Sequence, residues 1–189
     1  MYLFGFGSLI NLKSAQKSFR RVLKQNDLIP VQIKGYERVW NALESIQFND
    51  EVVNGVFLNI QKNENATMYG VVIELSKEEL EILKLREKNY SCIEIDANNV
   101  LNKKFDMPLM AFMTTQDDKL AQLGNVNTYI PTQYIDVLQE ALVHYEEAFV
   151  QDFKKSLESY PFSLKEGNYR FTDPIQQAAA REGMQNDPI

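Results

Sequence analysis

Apolar residues along this chain follow two rhythms, and the places where one gives way to the other mark out its elements. Leu3 to Ile10 is a strand-like run that turns abruptly into Gly5, Gly7 and Ser8. Lys13 to Lys24 carries Ala15, Phe19, Val22 and Leu23 at helical spacing after a cap candidate, Asn11, which predicts a short helix. Three strand patterns follow, Val31 to Trp40, Val52 to Ile60 and Met68 to Leu75, the last two separated by the charged, turn-prone stretch Gln61 to Ala66, which reads as a hairpin loop. Ser76 stands three residues before Glu79, a capping box that announces a helix from Lys77 to about Lys88. Tyr90 to Ile95 and Pro108 to Thr115 return to strand character. Thr132 to about Leu157, opened by Pro131, is the longest helical pattern, with Tyr134, Leu138, Leu142, Tyr145, Phe149 and Phe153 as a core-facing aromatic and aliphatic stripe.

Beyond Glu158 the periodicity fades. Pro161, Pro174 and Pro188 punctuate a polar stretch in which Asp173-Pro174-Ile175 starts one short helix through Gln176 to Arg181, and the final dozen residues read as a loose or docked tail. The expected organisation is one domain over residues 1–158 and a partly irregular extension over 159–189. A length of 189 residues with 44% hydrophobic and 24% charged positions suits a single globular core. No apolar run reaches the roughly 18 residues of a membrane span, and the amino-terminal run shows neither a basic leader nor a cleavage site, so a cytoplasmic protein without a membrane partner is expected. The net charge of −6 speaks against nucleic acid; Lys13, Lys17, Arg20, Arg21 and Lys24 read as one solvated helix face.

Candidate chemistry is sparse. Cys92 is the single cysteine and His144 the single histidine, which argues against disulfides, thiolate clusters and His-rich metal sites. His144 lies in the long helical pattern as a solvent-facing residue, and Cys92 in an apolar strand as an inert thiol. The Gly5 and Gly7 loop has two readings: a binding loop whose backbone, free to take positive φ, brings N–H groups close to an anionic or carbonyl oxygen, or a bulge in an edge strand. A dinucleotide fingerprint fails because Ile10 stands where a third glycine is needed, and no Gly-Lys-Ser/Thr follows for a Walker loop. Among carboxylates, Glu87 falls on the stripe of Leu80 and Leu83 and there points toward the core, although on periodicity alone a surface acid closing a charged helix end is the better fit.

Four motifs occur in order: Phe4-Gly5-Phe6-Gly7-Ser8-Leu9-Ile10, Lys34-Gly35-Tyr36-Glu37-Arg38-Val39-Trp40, Tyr69-Gly70-Val71-Val72, and Leu85-Arg86-Glu87-Lys88-Asn89-Tyr90. Over residues 1 to about 150 the chain resembles the γ-glutamylcyclotransferase superfamily, nearest to its ChaC-type, glutathione-specific branch. The resemblance implies an α+β fold, a small mixed β-barrel flanked by helices with a cavity at its mouth. It further implies a substrate loop made of Phe4, Gly5, Phe6, Gly7, Ser8 and Leu9 and a catalytic Glu87. The implied reaction cyclises a γ-glutamyl group to 5-oxoproline and releases an amino acid, peptide or amine, with no cofactor and no metal. The expected partner is a small γ-glutamyl compound, glutathione or another, and the expected state a monomer or homodimer. Two positions depart from the pattern: Phe6 stands where the family has tyrosine, and Lys88-Asn89 where ChaC-type proteins carry glycines, Asn89 being a residue that tolerates the left-handed region. A non-catalytic protein that binds a small metabolite, or a partner through the long helix and tail, is the alternative on the same fold.

Overall fold

The computed structural model describes residues 1–183; the last six residues of the expected tail, 184–189, lie outside the described residues. The fold is organised by two long antiparallel strands, β2 (Ile29–Phe48) and β3 (Glu51–Glu74), paired along nearly their whole length. They turn at Asn49 and Asp50, where Asn49 takes positive φ (50°), a conformation that asparagine accepts more readily than other side chains. β1 (Tyr2–Gly5) lies antiparallel to β3 and parallel to β5 (Leu109–Met113), and β5 pairs with β4 (Ser91–Ile95). Val100, beyond β4, bridges back to Ile33 of β2, and Leu101 donates to the Gln32 carbonyl at 2.8 Å, so the ring of strands closes on itself.

Strand alternation then sorts the side chains. Phe4, Ile33, Met68, Val72, Ile95 and Leu109 fill the inside of this ring, while Leu3, Val71 and Ile73, one position along, face the larger outer core under the helices. Three further short strands extend the sheet: β6 (Thr128–Pro131) beside β3, β7 (Ser163–Lys165) beside β6, and β8 (Tyr169–Phe171) beside the end of β2. The result is the expected α+β mixed sheet flanked by helices.

Several sequence expectations need correction. Gln61 to Ala66 is not a hairpin loop but the middle of β3. Its partner β2 runs on past it, and the mismatch is absorbed by a register shift between Lys34 and Tyr36, with Gly35 at φ 84°. The polar side chains are accommodated because they point to solvent or bond across the ribbon, as Asn63 does to Glu37 at 2.9 Å. The helix expected over Lys13 to Lys24 ends early: α1 spans Leu12–Gln16. The Gln16 amide donates to the carbonyls of Phe19 (3.0 Å) and Arg21 (2.8 Å) and its oxygen accepts from Leu23 N–H (2.7 Å), replacing helical bonds with a compact turn. Ala15, Phe19 and Leu23 are still buried, but Val22 is 80% exposed.

The capping box holds in full at α2 (Lys77–Arg86), with both reciprocal bonds between Ser76 and Glu79. The long carboxy-terminal helix is two: α3 (Thr132–Leu142) and α4 (Glu147–Lys155). Between them His144 is exposed and the Tyr145 hydroxyl donates to the Ile10 carbonyl at 2.6 Å. Breaking there lets Tyr145, Phe149 and Phe153 stack in a column, centroids 4.1 and 5.4 Å apart, against the sheet. Asp173 caps the last helix, α5 (Pro174–Gln177), through Gln176 N–H at 2.9 Å, and a π-helical turn continues over Ala178–Glu182.

Gly70 of β3 is where β1 packs closest. A Cβ there would lie 2.5 Å from the Phe4 ring and 2.7 Å from the Gly5 carbonyl oxygen. Gly70→Ala is expected to destabilise the protein by about 1–3 kcal/mol in chemical denaturation, the cost of overpacking a tight core; unchanged stability would contradict this register of β1 on β3.

Candidate active site

Where β1 ends, the chain makes a tight turn of 3-10 helix over Ser8–Ile10, whose first bond runs from Ile10 N–H to the Gly7 carbonyl at 3.1 Å. The N–H groups of Ser8 and Leu9 are therefore left without a partner in the turn, as at the start of any helical turn. Neither Gly5 nor Gly7 uses positive φ. Their need is for space: a Cβ on Gly5 would sit 2.8 Å from the Leu9 Cβ, and one on Gly7 would sit 2.7 Å from the Tyr134 hydroxyl.

Two buried arginines hold this turn from opposite sides. Arg38, on β2, donates from Nε to the Phe6 carbonyl (3.1 Å) and from its other nitrogens to the Tyr69 carbonyl, the Ser156 hydroxyl (3.1 Å) and Asp152 (3.4 Å), with its guanidinium stacked 3.6 Å from the Phe153 ring centroid. Burial lowers its pKa to about 10, which still leaves it charged at neutral pH. Arg86, at the last turn of α2, donates to the Ser8 hydroxyl (3.0 Å), the Ser14 carbonyl (3.3 Å) and the Ser18 hydroxyl, and its Nε lies 3.1 Å from a Glu87 carboxylate oxygen. Sequence reasoning placed Glu87 on the inward stripe of α2. The stripe itself is Leu80, Leu83 and Arg86, and Glu87 is the capping residue beyond it, positioned by Arg86.

Phe4, Gly5, Phe6, Gly7, Ser8, Leu9 and Glu87 all line one cavity of about 330 Å³. The rings of Phe4 and Phe6 belong to the cluster inside the strand ring. The Glu87 side chain keeps 18% of its surface exposed, yet burial is the largest influence on it and raises its pKa, with Arg86 pulling the other way. Its place at a helix C-terminus, the negative end of the helix dipole, favours the neutral acid further.

The structure adds residues that sequence reasoning missed. Tyr90 and Tyr134 line the cavity, both with hydroxyl pKa raised first by burial. Tyr134 supplies a hydroxyl beside Gly7, next to the loop whose own sixth residue is phenylalanine. Behind the cavity, Glu44 of β2 is 4% exposed; it accepts from the Asn89 amide at 2.7 Å and bonds the Gln176 side chain. Asn89 is thus not in the left-handed region; its side chain ties the end of α2 to the sheet, and Lys88 beside it pairs with Asp173 of the carboxy-terminal segment. That segment closes the cavity with Tyr169, Phe171, Gln176, Ala180 and Arg181. Cys92 is partly buried on β4, its thiol pKa raised by burial. Among the described residues no three His, Cys, Asp or Glu side chains cluster as a metal site would require, and no helix is long and apolar enough to cross a membrane.

No family model and no curated protein sequence matches the chain. Solved structures do. A gamma-glutamyl cyclotransferase superposes with TM-score 0.60 at 11% identity over 97% of this chain and 99% of that one. The human protein loc79017 gives 0.61 at 12% over 94% and 96%. A yeast gamma-glutamyl cyclotransferase specific to glutathione gives 0.51 at 15% over 82% and 96%. The chain therefore has the gamma-glutamyl cyclotransferase-like fold.

Burial raises the Glu44 pKa from its ordinary 4.5 to about 7, so the folded state holds that proton more tightly than the unfolded chain. The associated stability is present in full below about pH 4.5 and is lost as pH rises through about 7, a change of up to about 3 kcal/mol. Glu44→Gln is expected to flatten this decline in denaturation curves taken between pH 4.5 and 8; an equal decline in both proteins would contradict the assignment.

Proposed function

We propose that the protein is a γ-glutamylcyclotransferase that converts the γ-glutamyl group of a small substrate to 5-oxoproline and releases the attached amino acid, peptide or amine. The observation that carries this reading is the convergence, in one cavity, of a carboxyl whose pKa is raised and a turn with unpartnered N–H groups, joined through Arg86.

The chemistry asks for little more. The α-amine of the γ-glutamyl group attacks its own γ-carbonyl carbon, forming the ring C–N bond, and the bond to the departing nitrogen breaks. An amine is mostly protonated near neutral pH, so a base must take its proton within about 2.6–3.2 Å. Glu87 takes that proton and returns it to the leaving nitrogen; a carboxyl with raised pKa suits both halves of the transfer. The N–H groups of the Ser8 turn hold the negative charge that develops on the γ-carbonyl oxygen or, in the other pose, the substrate's α-carboxylate. Because nucleophile and electrophile belong to one molecule, the cavity wall of Leu58, Tyr134 and Phe112 has the task of folding the glutamyl chain toward ring closure. No redox or cofactor step enters the balance.

Incubation with γ-glutamyl dipeptides and glutathione, followed by chromatographic assay of 5-oxoproline, is expected to give product from at least one of them. Glu87→Gln should lower turnover at least about a hundredfold in protein that is still folded at the assay temperature, while loss of the carboxylate beside buried Arg86 lowers the melting temperature. For the wild type, kcat/KM should fall as pH drops through the raised Glu87 pKa, since the base must be ionised. Absence of 5-oxoproline from every compound, or full activity in Glu87→Gln, would overturn the proposal.

A further inference from the structure

The cavity is charged against the grain of the chain. The protein carries a net charge of −6, yet Lys13, Lys17, Arg86 and Arg181 line this space against two carboxylates, Glu87 and Glu140. The two arginines that hold the loop are each neutralised, Arg38 by Asp152 and Arg86 by Glu87. Lys17 and Arg181 are not: among the described residues neither lies within salt-bridge distance of a carboxylate. Arg181 is instead held by neutral groups, with its guanidinium 2.6 Å from the Gln133 amide oxygen, 3.4 Å from the Tyr169 carbonyl and stacked 4.4 Å from the Tyr169 ring centroid. Its direction is fixed while no carboxylate among the described residues compensates its charge, the arrangement expected of a site prepared for an anion.

We infer that Lys17, at the end of α1, and Arg181, on the carboxy-terminal turn, form a carboxylate subsite that holds the far end of the substrate. On the cyclotransferase reading, from which this follows, the substrate is a γ-glutamyl amino acid or peptide whose departing half carries a free carboxylate, rather than a γ-glutamyl amine. The placement identifies which carboxylate. Arg86 reaches Glu87 through Nε and, through a terminal nitrogen, the Ser14 carbonyl and the Ser18 hydroxyl on either side of Lys17 in the chain, so it lies between the acid and the segment that carries Lys17. Four of its five N–H donors are already directed at Ser8, Ser14, Ser18 and Glu87. The α-amine and α-carboxylate of a glutamyl group share one carbon, so an α-amine beside Glu87 keeps its own carboxylate on that side. A carboxylate beyond Arg86 belongs further along the substrate. Burial, and after it repulsion from Arg181 and Arg86, lower the Lys17 pKa, and a bound carboxylate offsets the repulsion.

The test compares γ-glutamylalanine with γ-glutamylalanine amide, which differ by that one charge. Wild-type kcat/KM is expected to favour the acid at least about tenfold, the effect of one charge-assisted hydrogen bond. Arg181→Gln and Lys17→Gln should each shrink that preference to under about threefold, chiefly through KM for the acid, and Arg181→Lys should retain most of it. Comparable use of both peptides by the wild type, or an equal loss on both in the variants, would overturn the subsite while leaving the cyclotransferase reading standing. So would a loss that follows amidation of the glutamyl α-carboxylate instead. If neither peptide yields 5-oxoproline, calorimetric titration with the same pair decides: tighter binding of the acid that Arg181→Gln abolishes supports the subsite, and equal or absent binding of the two overturns it, while the cyclotransferase reading stands or falls on the full set of γ-glutamyl compounds.

Discussion

The buried guanidinium of Arg86 is the constraint on which the rest of the site depends. An arginine taken out of water must have its charge and its donors matched, and Arg86 meets that demand by reaching three separate parts of the chain: the Ser8 turn after β1, the Ser14 and Ser18 segment around α1, and Glu87 beside it. The same bonds that satisfy the buried cation fix the distance between the turn and the acid. Arg38 repeats the arrangement from the sheet side, tying the Phe6 carbonyl to β3 and α4. The turn is therefore pinned at Phe6 and Ser8, on either side of Gly7, by charges that leave its neighbouring N–H groups unused.

This explains why so little conventional catalytic equipment is present. On the proposed reading, an intramolecular aminolysis needs a base, a polar cradle for one oxygen and a shape that folds the substrate, and each would come from a structural feature with another duty. Glu87 caps a helix, the cradle is the unpaired start of a 3-10 turn, and the shape comes from aromatic residues that are part of the core, such as Tyr134, which packs edge-on against Trp40 and Phe57. The carboxy-terminal segment completes the enclosure: β8 joins the sheet, Asp173 pairs with Lys88, and Gln176 reaches Glu44.

What the sequence makes legible is what local chemistry decides. The Ser76 and Glu79 box, the Asn11 cap and the Asp173-Pro174 start are each settled within a few residues, and each appears as expected. The loop glycines were readable as a close approach, though the reason is the crowding of Leu9 and Tyr134 and not a left-handed backbone. Features fixed by distant partners were not readable. The polar stretch from Gln61 to Ala66 does not reverse the chain because Gln61 and Lys62 pair with Glu37 and Tyr36 and the next four residues bulge opposite Gly35 before pairing resumes at Thr67, and α3 parts from α4 without proline or glycine because the Tyr145 hydroxyl is drawn to Ile10. Arg86 was legible in principle, as the next step of the Leu80 and Leu83 stripe, but a cation at an inward position reads as surface until its serine partners are seen. Glu44 gave no local signal; its isolation is created by Asn89 and Gln176, which arrive from elsewhere in the chain.

The central claim is that Arg86 holds the Ser8 turn and residue 87 as two walls of one reaction space. The most direct measurement is a crystal structure of Glu87→Gln soaked with a γ-glutamyl dipeptide. The glutamyl α-amine is expected within hydrogen-bond distance of the residue 87 side chain, a substrate oxygen against the N–H groups of Ser8 and Leu9, and Arg86 still bonded to Ser8. A dipeptide bound outside this cavity, or one inside it with its α-amine directed away from residue 87, would contradict the claim.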